Sequence, residues 1–77
     1  MRDLVEYLAR ALVEDPDSVR VEETDDDGDV VLEVHVARDD LGRVIGRSGR
    51  VANAIRTVAK AAATHEDRRV LVEIIED

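Results

Sequence analysis

The chain has no cysteine, no tryptophan and no phenylalanine; it has one tyrosine (Tyr7), one proline (Pro16) and four glycines. The missing cysteines exclude a disulfide framework and any thiolate metal site. With Tyr7 as the only Phe, Tyr or Trp, there is no set of such rings on which bases could stack. Apolar runs are also short, and none approaches the ~20 residues that a membrane-spanning helix needs. The opening Met1-Arg2-Asp3-Leu4-Val5-Glu6 carries acids where an export signal needs an apolar stretch. A soluble cytoplasmic protein is therefore expected. At 77 residues it is one domain at most, of modest stability because small domains bury a lower fraction of their surface.

What the chain does have is charge, with a formal net of -8. That sum disfavours a polyanionic partner, since phosphate backbones attract Lys and Arg. Its distribution is more informative. Residues 1–37 carry three basic and twelve acidic side chains, and residues 61–77 carry two and five. Between them, residues 38–60 carry six basic side chains (Arg38, Arg43, Arg47, Arg50, Arg56 and Lys60) and two acidic ones. One basic block is thus set in an acidic protein. Ordinary solvated helix faces offer the plainer reading of such a run.

Periodicity gives the elements. From Asp3 to Glu14, Leu4, Leu8 and Leu12 recur every four residues with Val5 and Ala9 beside them, the spacing of one buried helix face. Glu6 and Arg10 are placed for an i,i+4 pair. Asp15-Pro16-Asp17 ends this helix. Val19 and Val21 alternate with Arg20 and Glu22; Val30, Leu32, Val34 and Val36 alternate with Val31, Glu33 and His35. Period two marks two strands, each with one buried face. The Asp27-Gly28 step between them favours a tight hairpin turn. Asp39 is placed to cap a short helix through Leu41 and Val44 that ends at Gly46. After Gly49 a longer helix runs to about Thr64 with Val51, Ile55, Val58 and Ala62 as its buried stripe. A last strand spans Val70 to Ile75. The expected fold class is α+β: helix-strand-strand-helix-glycine loop-helix-strand, with three helices on one face of a three-stranded sheet.

The hairpin explains Gly28, which leaves Gly42, Gly46 and Gly49 to account for. Glycine permits positive φ and close approach of another backbone. Gly46 and Gly49 bracket Arg47-Ser48 between two expected helices, where amide groups at a helix start favour a phosphate. Arg43, Arg47 and Arg50 flank them with positive charge, and Val44 and Ile45 supply apolar surface for unstacked bases. A sharp turn with solvated arginines would use the same residues.

The context decides between these. The run Val44-Ile45-Gly46-Arg47-Ser48-Gly49-Arg50, followed by Val51 and Ile55 at helical spacing, resembles the I-G-x-x-G signature of KH domains within a β-α-loop-α-β unit. That unit covers residues 30–76, with the loop at 46–49. Residues 1–29, a helix, a strand and the hairpin turn, resemble the N-terminal extension of the type II, prokaryotic form. The stretches Leu4–Val13 and Ala54–Ala63 further resemble the small stand-alone bacterial KH proteins of the KhpA family. The resemblance implies one KH domain over residues 1–77. It also implies single-stranded RNA as partner, without catalysis, in an RNA chaperone or post-transcriptional regulator. Family members form homodimers or pair with a larger KH protein of the Jag type, and are linked to small-RNA regulation and cell-envelope homeostasis. Carried over by position, the family's loop falls on Gly46, Arg47, Ser48 and Gly49. Ile45 starts the apolar groove, Arg43 flanks it, and Arg50 and Asn53 lie on the next helical turn. Family members often carry Lys at the position of Arg47. The acidic first half departs from expectation for an RNA binder and predicts weak non-specific binding.

Other signals lead elsewhere. Glu23–Gly28 resembles half of a calcium-binding EF-hand loop, but Val34 would stand where a bidentate Glu is required. His35 and His65 are far apart with no third ligand spaced near either, and His35 alternates onto the outward sheet face, in water; no metal site and no cofactor are expected. Asp39 and Asp40 lack a partner base, Ser48 lacks an activating neighbour, and no phosphate-binding G-x-G-x-x-G or Gly-Lys-Ser/Thr motif occurs, so no catalytic residue is assigned. The rival reading is a protein-interaction or dimerisation module of the same fold with little RNA affinity. Its surfaces would be Val31, Leu71 and Ile75 on the open sheet face, or the helix start near Val51 and Ala52.

Overall fold

The structure, a computed structural model, describes residues 1–76, without the side chains of Arg47 and Ser48. Helix α1 covers Arg2–Leu12 and is followed by a 3-10 turn at Pro16–Ser18. Strands β1 (Arg20–Asp26) and β2 (Asp29–Val36) form a hairpin, helix α2 runs from Arg38 to His65, and strand β3 covers Val70–Glu76. The sheet order is β1-β2-β3, antiparallel between β1 and β2 and parallel between β2 and β3. A parallel neighbour requires a long crossover, and α2 is that crossover.

The α+β class and the strand register follow the alternation in the sequence. Val30, Leu32, Val34 and Val36 of β2, Val21 of β1 and Val72 of β3 point to one face and are buried with Val5 and Ala9 of α1 and Ile55 and Ala59 of α2. Each fully buried Val, Leu or Ile stabilises the fold by roughly 1.5–3 kcal/mol relative to exposure. The hairpin closes through Asp27 and Gly28, both at positive φ (54° and 91°). That double left-handed turn matches the right-handed twist of the flanking strands. The Gly28 amide also donates to the Asp25 carboxylate at 3.2 Å.

The helix faces differ from expectation. On α1 the buried positions are Val5 and Ala9, with Leu8 half-buried, while Leu4, Tyr7 and Leu12 are exposed. Residues four apart advance about 40° around a helix, so the apolar arc runs from Leu4 through Leu8 and Leu12 to Val5 and Ala9, and only its Val5-Ala9 side reaches the sheet. On α2 the buried stripe is Ala52, Ile55, Ala59 and Ala63; Val51, Val58 and Ala62 flank it, half-buried. Small alanines take the line of closest approach to the sheet, and the bulkier valines fill its edges.

Nor are the two helices around the glycines separated. They form one contiguous helical span, Arg38–His65, and the interruption is confined to Gly49, whose φ is +67°. A left-handed residue reverses the local twist, so a single glycine serves where a loop was expected. Asp39 is not the cap: the N-cap is Ala37, without a side-chain hydrogen bond.

Candidate nucleic-acid interface

The first half of α2 is fixed from below by Asp40. This carboxylate is only 2% exposed and accepts hydrogen bonds from the amides of Glu14 (3.0 Å) and Asp15 (3.0 Å), just beyond the end of α1. Burying a carboxylate is costly unless it is well paired, and here two otherwise orphaned amides pair it. Val44 is buried on the same side and joins the core, not the base-binding surface expected of it.

The opposite side of this turn of α2 is open. A groove of about 690 Å³ is lined, among the described residues, by Gly42, Arg43, Gly46 and Val51. Gly42 and Gly46 have empty space where a Cβ would stand, so the backbone itself forms the groove floor. Ile45, 54% exposed, is a large apolar side chain presented to solvent beside it. At its far end, residue 48 is helical and Gly49 left-handed. Successive right- and left-handed residues turn neighbouring N–H groups toward a common point, a concavity suited to an anion. Asn53 stands one turn on, with its amide nitrogen 3.8 Å from where a Gly49 Cβ would lie. A side chain at position 49 would meet a disfavoured φ, with Asn53 at ordinary contact distance.

Of the site residues expected from sequence, Ile45, Gly46, Gly49 and Asn53 and the charges of Arg43 and Arg50 come together along this stretch of α2. The side chains of Arg47 and Ser48 lie outside the described residues. Arg43 is not simply solvated: its guanidinium pairs with the Glu14 carboxylate. The hydrogen bond and charge of Glu14, with smaller help from Asp40 and Asp39 against slight desolvation, raise its pKa above the ordinary value. Its charge is therefore permanent but partly compensated. Arg50 is exposed and makes no ion pair among the described residues.

Two further groups were not foreseen. Asp40, rather than Asp39, is the structural carboxylate; no local pattern marks it, because its partners are 25 and 26 residues away. His35, expected in water, is only 9% exposed on the outer sheet face. Its Nε2 lies 3.7 Å from Glu33 and 4.0 Å from Glu22, and ligand atoms of the three lie within 4.8 Å of one another. The strand register brings together what sequence spacing did not. The Arg20 guanidinium, 3.4 Å from both Glu22 and the His35 Nδ1, already supplies positive charge to this cluster. The EF-hand-like run is the exposed hairpin tip. Among the described residues no helix is long and apolar enough to cross a membrane.

Residues 2–74 match the family model described as KhpA/KhpB, KH domain. The chain belongs to the KhpA/KhpB KH-domain family. It is 52% identical over 75 residues to the RNA-binding protein KhpA of Clostridium acetobutylicum, covering 97% of this chain and all of that one. The KhpA of Caldanaerobacter subterraneus subsp. tengcongensis is 51% identical with the same coverage. That of Aquifex aeolicus is 42% identical over 76 residues, 99% of this chain and 96% of the relative. No solved structure matches the chain. Residues 42–51, with Gly42, Gly46 and Gly49, lie within the matched span. The open groove, the exposed Ile45 and the left-handed Gly49 are the local features of that stretch.

Proposed function

We propose that this protein is a non-catalytic, cytoplasmic RNA-binding protein that holds single-stranded RNA at residues 46–49. The whole of residues 1–77 serves as a single KH domain in this reading. The observation that carries it is the joint presence, in neighbouring turns of α2, of a glycine-floored groove and the left-handed residue at Gly49. Phosphates settle against the backbone of Gly46–Gly49 and near Arg47, Ser48 and Arg50. Bases lie along Ile45 and the groove, with Asn53 available to a base edge. Arg43 contributes field more than contact, because Glu14 shares its charge. About four nucleotides fit a site of this kind. Without aromatic platforms, sequence preference is loose, as suits an RNA chaperone or post-transcriptional regulator. The relatives' name, RNA-binding protein, supports this reading over a module that binds only protein.

A single four-nucleotide site is weak, and joining two raises avidity without any new contact. We infer that the protein works as a homodimer or beside a larger KH chain of the Jag type. The family's paired name, KhpA/KhpB, supports this, as do the exposed Leu4, Tyr7, Leu12 and Leu71.

Fluorescence anisotropy with a short mixed-sequence RNA tests the reading, comparing the protein with Gly46→Asp. The position has room for a side chain, so the variant is expected to fold while placing a negative charge on the groove floor. Binding at low salt should drop at least tenfold. Equal binding would move the RNA elsewhere, and no binding by the unmodified protein would favour the interaction module. Light scattering on the same samples should give about twice 8.6 kDa for a homodimer. A mass of 8.6 kDa would leave only the larger partner.

A further inference from the structure

The molecule has eleven basic side chains, and seven of them (Arg2, Arg10, Arg20, Arg38, Arg43, Arg68 and Arg69) are engaged with carboxylates. Among the described residues the exceptions are Arg50, Arg56 and Lys60, and all three are exposed on α2 beyond the glycine turn. At 3.6 residues per turn they fall within about 120° of one another around the helix. The exposed residues between and beside them are Asn53, Ala54, Thr57, Ala61 and Thr64, small or neutral. A merely solvated helix usually intersperses acids at i,i+4 from its bases. Here that is impossible, because residues 41–65 contain no acid at all in a chain with nineteen.

We propose that this outer face of α2, Arg50-Arg56-Lys60, is a second contact for the phosphate backbone of RNA. An RNA strand held at 46–49 continues along it toward the C-terminal end of the helix. The inference rests on the RNA-binding reading and extends it: the protein favours RNAs longer than the glycine turn alone accommodates. From Gly49 to Lys60 the helix rises about 16 Å, beyond the reach of a strand contacting the turn alone. Contacts of this kind are electrostatic and carry no sequence information, so they lengthen the footprint without sharpening specificity. Within residues 41–65 a polyanion following this face meets no carboxylate of the helix itself, in contrast to the acidic segments on either side in the sequence.

The test uses two RNAs, one of about four nucleotides and one about four times longer, titrated over a range of salt. The full chain is compared with Arg56→Gln/Lys60→Gln and with Gly46→Asp, and melting curves establish that each is folded. Both glutamines replace exposed residues without packing roles. For the long RNA, the double variant should lose affinity, and the slope of log K against log salt should become shallower by about 1.4, at ~0.7 per lost single-strand phosphate contact. The short RNA should bind it as it binds the unmodified protein. An unchanged slope with long RNA would overturn the track, as would equal weakening for both lengths. If Gly46→Asp instead keeps salt-sensitive binding of the long RNA while the double variant loses it, the loop reading fails and the α2 face stands. Binding of neither RNA by the unmodified protein overturns both.

Discussion

Two of the four glycines look interchangeable in the run Gly46-Arg47-Ser48-Gly49, yet the backbone asks different things of them. Gly49 sits at φ +67° against Asn53, whereas Gly46 lies in ordinary helical backbone with open space at its Cβ position. A left-handed conformation costs a residue with a Cβ about 1–2 kcal/mol. Alanine in a helix interior is favoured over glycine by up to about 1 kcal/mol. Gly49→Ala should therefore destabilise the fold by about 1–2 kcal/mol, and Gly46→Ala should be neutral or stabilising, as read from urea midpoints. Equal destabilisation by both would contradict the left-handed turn at Gly49. If Gly46→Ala also weakens RNA, its glycine is kept for the ligand's approach and not for the fold. At this scale the sequence was partly legible. Gly28 and Gly49 announced turns because few residues adopt positive φ, whereas Gly46 lies within the helix. His35 and Val44 were misplaced because burial on an outer sheet face, or under a helix, depends on neighbours that only the register supplies.

Between elements, the strands were readable and the helix faces less so, for a physical reason. Period-two alternation leaves only two faces to choose from, and the valines of β2 choose one without ambiguity. An apolar arc on a helix is continuous, so Leu4, Val5, Leu8, Ala9 and Leu12 permit several rotations, and packing selects the Val5-Ala9 edge. The same packing leaves Leu4, Tyr7 (74% exposed) and Leu12 on the outside, where α1 offers more apolar surface than Leu71 does among the glutamates of the open sheet. The junction between α1 and α2 was not readable at all. Asp40 reaches across it to two amides, and Arg43 follows one turn later with its pair to Glu14. Hydrogen bonds to a charged group are worth about 1.5–3 kcal/mol, and their loss leaves Asp40's part-buried donors without their partner. Asp40→Ala is expected to cost about 2–3 kcal/mol in urea denaturation. Asp39→Ala, at an exposed position with no capping bond, should stay within about 0.5 kcal/mol of the unmodified protein. A larger effect at Asp39 would restore it as the helix cap. The Asp40 tie also positions the glycine turn relative to α1, so its loss should weaken RNA binding even where the variant remains folded.

Across the whole molecule, the opposing charges are segregated along α2. The glycine turn lies toward the end of the helix that packs by Glu14 and Asp15. The opposite end meets the hairpin tip, where Arg68 donates to the Gly28 carbonyl at 3.2 Å and pairs with Asp25 at 2.9 Å. Asp26 and Asp27 extend from that tip without an ion pair among the described residues. From Gly49 to His65 the helix spans about 24 Å. The Debye length is about 30 Å at 0.01 M salt and about 8 Å at 0.15 M, so the acidic tip repels an incoming strand at the turn only in dilute buffer. Replacing Asp26 and Asp27 with Asn, which tolerates the left-handed φ of position 27, should speed association of a four-nucleotide RNA a few-fold at 0.01 M. At 0.15 M it should have no effect in stopped-flow measurements. A longer RNA that follows α2 to Lys60 comes within reach of the tip, and for it part of the acceleration should persist at 0.15 M. If both lengths respond alike at every salt, the strand does not approach the hairpin end. The net charge of -8 would then act as a uniform background, not as a directional brake on how far the RNA extends.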